Sequence, residues 1–162
     1  MNFGAIGQIL LLLAIANGAP ILATRVLGER MARPLDGGAV FLDGRPLFGQ
    51  SKTLRGVTAS LAATALGAHL LALPWALGGA IAALAMLGDL TSSFLKRRSA
   101  RASSARALGL DQIPESLFPA LYAGAGMSLH MMDVVVVVTI FFAGALVVSR
   151  LLYALSIRER PY

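Results

Sequence analysis

The chain has no cysteine, and its 162 residues include only two histidines and one tryptophan. The missing thiols exclude disulfides, thiolate metal sites and thiol catalysis. Charge is also scarce: 14% of residues are Asp, Glu, Lys or Arg, against about 25% in an ordinary soluble domain. Strand-like alternation is rare, and the seven prolines fall mostly at segment ends or in loops, which argues against a membrane barrel. What is present is 57% hydrophobic sequence with a mean hydropathy of +0.74. That excess of apolar residues predicts an all-α integral membrane protein. A net charge of +6 invites comparison with nucleic-acid binders. Basic cytoplasmic loops produce the same excess and no recognition motif accompanies it, so no nucleic-acid partner is expected.

Five transmembrane helices are expected, at about 3–24, 56–73, 75–96, 113–130 and 134–155. The first run carries no cation before Arg25 and lacks the positive start and cleavage site of a secretory signal, so it reads as a retained helix. Pro20 should kink it, and Asn17 reads either as a contact between helices or as a polar group facing a site. Pro74 separates the second and third runs, a hairpin turning at the outer face with Trp75 as its interfacial anchor. The fourth run is the weakest, being short and interrupted by Glu115 and Pro119. With five spans all 14 Lys and Arg fall on one side: six in 25–55, five in 96–106 and three from Arg150 onward. Four spans would put Arg150, Arg158 and Arg160 outside. The expectation is therefore one membrane-embedded domain, 1–162, multi-pass in the cell membrane. Its N-terminus lies outside, its C-terminus inside, and its two basic cytoplasmic loops are 25–55 and 97–112.

An acid inside an apolar segment costs roughly 2.5–3.5 kcal/mol on insertion scales, and Asp89 stands near the end of the third run. On a helix Asp89, Ser92, Ser93 and Lys96 fall at i, i+3, i+4 and i+7, on one face. Arg97 and Arg98 follow, then a Ser/Ala/Arg-rich loop and a second acid, Asp111. Asp36, Asp43, Asp89, Asp111 and Glu115 all fall at or near the inner face, whereas Asp133 lies at the outer one. Magnesium is held by one or two carboxylates completed by substrate phosphates and water, which Asp89 and Asp111 can supply. In the first loop the glycines leave backbone N–H groups open to phosphate, with Lys52, Thr53 and Arg55 as further donors. The loop is not a Walker P-loop: after Gly44 and Gly49 the lysine comes two residues late, and no buried strand precedes it. A short re-entrant or interfacial piece is expected around 39–42.

The order NGAP in the first run, DGRPLFGQSKTLRG in the first loop, GDLTSSFLKRR ending the third run and LDQIPES after the second loop resembles the CDP-archaeol synthase family. The likeness covers nearly the whole chain. It implies a five-helix enzyme, similar to the CTP-transferase half of CDP-diacylglycerol synthases, that uses magnesium to join CTP to a lipid phosphate and releases pyrophosphate. On that resemblance Asp89 and Asp111 are metal ligands, and Lys96 and Arg97 contact the nucleotide phosphates. Lys52, Thr53 and Arg55 complete the polar pocket, with Ser93 and Gln112 beside the phosphates and Asn17, Asp43, Gly49 and Glu115 as further pocket candidates. Asp89, Lys96 and Asp111 are the catalytic set. Ile113, Pro114, Glu115 and Ser116 depart from the aspartate and apolar run of archaeal members and look more like bacterial ones, whose lipid need not be an ether. The expected partners are CTP, the lipid phosphate and membrane lipids. Small five-helix proteins often pair as homodimers, though no motif here demands it. The competing class is a small transporter or assembly subunit with Asp89 as its intramembrane carboxylate. It would call for polar groups along a path through the bilayer or an internal repeat, and the sequence has neither.

Overall fold

Asn2 opens the first helix by accepting the Ala5 N–H at 3.1 Å, an N-cap that satisfies one of the free amides of the first turn. In the computed structural model, which describes residues 1–99, 109–127 and 129–154, five helices follow in order. They are α1 (Phe3–Leu27), α2 (Leu54–Leu70), α3 (Trp75–Arg98), α4 (Gln112–Gly126) and α5 (Met131–Ala154). Thr53 caps α2 by accepting the Gly56 N–H at 3.2 Å, and Pro74 leads directly into α3.

Helix α2 packs between α1 and α3, α3 continues onto α4, α4 onto α5, and α5 returns to α1. The shared core is made of Ile9, Leu12 and Leu13 from α1, Ile81 and Ala85 from α3, Ala123 from α4 and Val137 from α5. Many of the interlocking residues are small, as expected where helices gain little from excluding lipid and must pack closely instead. Leu11, Leu22, Leu66, Leu87, Ile140 and Val147 point outward, the pattern of an apolar surface facing hydrocarbon.

Among the described residues three segments are long and apolar enough to cross a membrane: Phe3–Leu27, Trp75–Arg98 and Met131–Leu151. The chain is thus a membrane protein. Helices α2 and α4, with 17 and 15 residues, reach only about 25 and 22 Å at 1.5 Å per residue, short of a hydrocarbon core of about 30 Å.

The helix limits differ from the sequence reading at several ends. Helix α1 runs three residues past 24, and α2 starts at Leu54 because Thr53 serves as its cap. Helix α4 stops at Gly126 rather than 130, where Met127 turns the chain and its N–H caps Ala123. Residues 100–108 of the expected loop 97–112, with Arg101 and Arg106, lie outside the described residues, as does the expected end of the last helix at 155. The piece around 39–42 is one arm of a small antiparallel hairpin, with Leu47 N–H on Ala39 O at 2.9 Å and Phe41 N–H on Arg45 O at 2.8 Å.

Pro20 sits inside α1 without ending it. Its missing N–H leaves the Ala16 carbonyl without its helical partner, and the fully buried Ser60 of α2 donates to that carbonyl at 2.8 Å. Asn17 turns inward on its own helix, its amide donating to Leu13 O at 3.1 Å.

Candidate functional site

The site begins with a close crossing. A Cβ on Gly88 would run into the backbone carbonyl of Pro114 and, 2.6 Å away, into the Glu115 nitrogen. Only glycine lets the first turn of α4 lie this close to α3. The next residue of α3, Asp89, thereby comes within hydrogen-bonding reach of the Glu115 side chain. Ser92, one turn on, donates to Gly88 O at 2.9 Å and to Leu110 O at 2.5 Å, tying the start of α4 to the same stretch of α3.

Two ion pairs occupy this junction. Lys52, brought in by the loop before α2, spans both oxygens of Asp89, with Nζ 2.5 Å from Oδ1. Lys96 of α3 lies 2.7 Å from Asp111 Oδ1, immediately before α4. Lys96 and Arg97 are only 8% and 7% exposed although they end the helix, so their charges are held against the protein. Among the described residues no three His, Cys, Asp or Glu side chains stand close enough together to form a metal cage.

The other candidates spread around this pair. Ser93 is buried on α3, and Gln112 begins α4 with its Oε1 accepting the Gly109 N–H at 3.1 Å. Thr53 is occupied in capping. Arg55, also buried, donates to Gly28 O and Arg30 O at 2.7 Å each and to Thr24 Oγ1 at 3.1 Å, so its guanidinium closes the end of α1. Asn17 bonds within α1, and Asp43 pairs with Arg98 at 2.8 Å. Gly49 lines a cavity of about 280 Å³ together with Asp36, Gly38, Pro46, Gln50 and Arg97.

Asp36 is the organiser that the sequence reading left without a role. Its Oδ1 accepts the Gly38 N–H at 3.0 Å, and its Oδ2 accepts those of Phe48 and Gly49 at 2.9 and 3.2 Å. Burial pushes its carboxyl up, but these three backbone donors outweigh that effect and hold it below the usual carboxylate value. The Asp-Gly-Gly run at 36–38 carried the signal, since Asp before glycine favours this kind of turn.

The geometry brings a cavity of about 280 Å³ with Arg97 among its walls to the same end of the bundle as two lysine-paired carboxylates. Such an arrangement suits a polyanionic substrate, whose phosphates can draw the lysines away from the acids.

The family model of CarS-like CDP-archaeol synthases matches residues 7–162. The chain is similar to the CDP-archaeol synthase of Sulfurisphaera tokodaii, 34% identical over an aligned 155 residues that cover 91% of this chain and 89% of that protein. It is likewise similar to the CDP-archaeol synthase of Halobacterium salinarum, 32% identical over 170 aligned residues, 91% of this chain and 90% of the relative. Among solved structures it is similar to an intramembrane enzyme for archaeal membrane lipids biosynthesis, 30% identical with a TM-score of 0.70, over 87% of this chain and 90% of that one. By sequence and by fold, the chain belongs to the CDP-archaeol synthase family, enzymes of CTP-dependent cytidylyl transfer in lipid synthesis.

Proposed function

We propose that this enzyme uses magnesium to join CTP to a membrane lipid phosphate of the archaetidic- or phosphatidic-acid type, giving CDP-lipid and pyrophosphate for phospholipid biosynthesis. The reaction runs at the inner face of the cell membrane. The chain crosses five times, N-terminus outside and C-terminus inside, which keeps every Lys and Arg on the cytoplasmic side. Helix α2 completes its crossing through the turn that follows it, Leu71–Leu73, and α4 through the stretch that follows Gly126.

The observation that carries the reading is the pair of lysine-closed carboxylates, Lys52 on Asp89 and Lys96 on Asp111, at one junction of α3 and α4. A lipid phosphate oxygen attacks the α-phosphorus of CTP; the new P–O bond forms as the bond to the bridging oxygen of the β-phosphate breaks, and pyrophosphate leaves with that oxygen. A phosphate monoester is already a nucleophile, so no strong general base is required. Two anions must nevertheless meet, and the work of this chain is positioning and charge neutralisation. Lys52 and Lys96 turn from their carboxylates to phosphate oxygens, Arg97 neutralises further phosphate charge at the cavity wall, and Ser93 and Gln112 border the same stretch.

The donor set fits a hard divalent cation. Asp89 and Asp111 carry carboxylate oxygens at this junction, each paired with a lysine, and magnesium commonly takes only one or two protein carboxylates, with substrate phosphate and water completing its shell. Bound there by Asp89 and Asp111, it would neutralise phosphate charge and favour departure of pyrophosphate.

The experiment is pyrophosphate release by purified protein in detergent, with CTP and a panel of ether and ester lipid phosphates, beside Asp89→Asn. Release that needs CTP, lipid and magnesium and disappears in Asp89→Asn supports the reading and names the lipid. Folded protein that neither binds CTP nor releases pyrophosphate across the panel overturns it.

A further inference from the structure

Arg98, the last residue of α3, is more than a basic anchor after the site. Its guanidinium lies 2.8 Å from Asp43 Oδ1 and donates to Pro46 O at 2.9 Å and Arg45 O at 3.3 Å. The same group stacks 4.8 Å from the centroids of both Phe41 and Phe94, which meet edge to face at 5.2 Å. Arg45 returns the contact, donating to Arg97 O at 3.2 Å and Arg98 O at 2.5 Å, carbonyls that have no helical partner at a C-terminus. Two arginines thus lock the loop hairpin and the end of α3 reciprocally. A simple membrane anchor requires none of these contacts; a lysine snorkelling to the interface would serve as well.

The lock stands beside the cavity. Pro46, which accepts from Arg98, and Arg97, whose carbonyl accepts from Arg45, are two of its walls. The distance between the helix-borne Arg97 and the loop-borne wall of Asp36, Gly38, Gly49 and Gln50 is therefore set by the lock. We infer that Arg98, with Asp43 and Arg45 as partners, is a positioning residue that fixes the cytoplasmic hairpin against α3 and so sets the dimensions of the nucleotide cavity. This rests on the reading that the cavity receives CTP. Arg98 acts through the hairpin, with no contact to the reacting atoms. Misplacing a binding wall by about 1 Å can cost up to roughly a hundredfold, and here the loss should fall on nucleotide binding.

The test compares wild type, Arg98→Gln, Arg98→Lys and Asp43→Asn for kcat, KM for CTP and KM for the lipid phosphate, together with the rate of chymotrypsin cleavage after Phe41, which lies under Arg98 in the hairpin. Arg98→Gln is expected to raise KM for CTP about tenfold or more, while kcat and KM for lipid stay within about threefold. Arg98→Lys keeps the charge opposite Asp43 and loses the flat stacking and paired carbonyl contacts, so it should fall between. Asp43→Asn should shift KM for CTP in the same direction by less, and both Arg98 variants should cleave faster. Unchanged KM for CTP in Arg98→Gln overturns the inference, as does a fall in kcat with KM for CTP unmoved, which would make Arg98 a direct participant. If Arg98→Gln does not fold, Asp43→Asn decides by the same reading, since its side chain is 38% exposed and its loss leaves the core intact. If wild type turns over no CTP, the functional reading fails separately. Chymotrypsin then decides the lock: faster cleavage after Phe41 in Arg98→Gln supports it and an unchanged rate overturns it.

Discussion

Lys52 closes on both carboxylate oxygens of Asp89, joining the loop before α2 to the intramembrane acid of α3. Neither group is deeply buried, with side chains 22% and 21% exposed, so the pair is accessible to an incoming phosphate. A permanent structural ion pair and a pair opened by substrate make different predictions. If the ammonium moves to phosphate, Lys52→Met and Asp89→Asn each lower kcat/KM by roughly a hundredfold to a thousandfold, the usual effect of removing a preorganised charge. The double variant should fall well short of the product of the two losses, because the residues act as one unit. Pyrophosphate release measures this, and full multiplicativity would separate their roles.

Much of that site was legible in the sequence because its signal is energetic. An acid in an apolar run is costly, so Asp89 stood out, and helical spacing put Ser93 and Lys96 on its face. The partners of the two lysines were not legible, since Lys52 and Asp89 are 37 residues apart and only the fold brings them together. Arg55 reads as a phosphate donor from its place beside a glycine-rich loop, and the fold adds contacts the sequence does not show, to the Gly28 and Arg30 carbonyls of the turn that follows α1. Free carbonyls at and just beyond a helix end are common, and sequence does not say which arginine will find them. The hairpin at 39–47 was missed for a similar reason, its short arms being too brief to show a strand period.

Gly88 predicts a steric dependence. In Gly88→Ala the new methyl meets backbone of Pro114 and Glu115, which has no rotamer to escape into, so α4 must move away from α3. Stability should fall by about 1–3 kcal/mol. Activity should fall further than stability explains, because the same crossing sets Glu115 against Asp89. Gly79→Ala is the control, since its Cβ would meet nothing within 4 Å. Thermal unfolding in detergent and pyrophosphate release at a temperature where both variants are folded check the two halves.

Asp36 predicts a dependence on pH in the loop. Its carboxyl is held below the ordinary value of 3.8, so the folded loop prefers the ionised form. The sign follows: the stabilisation is fully present above that ordinary value and is lost as pH falls through the lower folded value. Hydrogen exchange at the Gly38, Phe48 and Gly49 amides should stay protected from neutrality down to about pH 4, relative to the intrinsic rate, and lose protection below it. Asp36→Asn should exchange faster at neutral pH and lose this acid dependence. Equal protection in both proteins at neutral pH would mean the carboxylate does not hold the loop.

The Pro20–Ser60 arrangement gives a prediction independent of the active site. Proline at 20 removes the amide that would bond Ala16 O, and the Ser60 hydroxyl supplies the missing donor from the neighbouring helix. Ser60→Ala therefore leaves a buried carbonyl unpaired and should cost about 1–3 kcal/mol. Pro20→Ala restores the helical amide, so in that background Ser60→Ala should cost much less. A double-mutant cycle on unfolding in detergent measures the coupling. A Ser60→Ala penalty of the same size in both backgrounds would place its origin in lost packing between α1 and α2 rather than in the carbonyl.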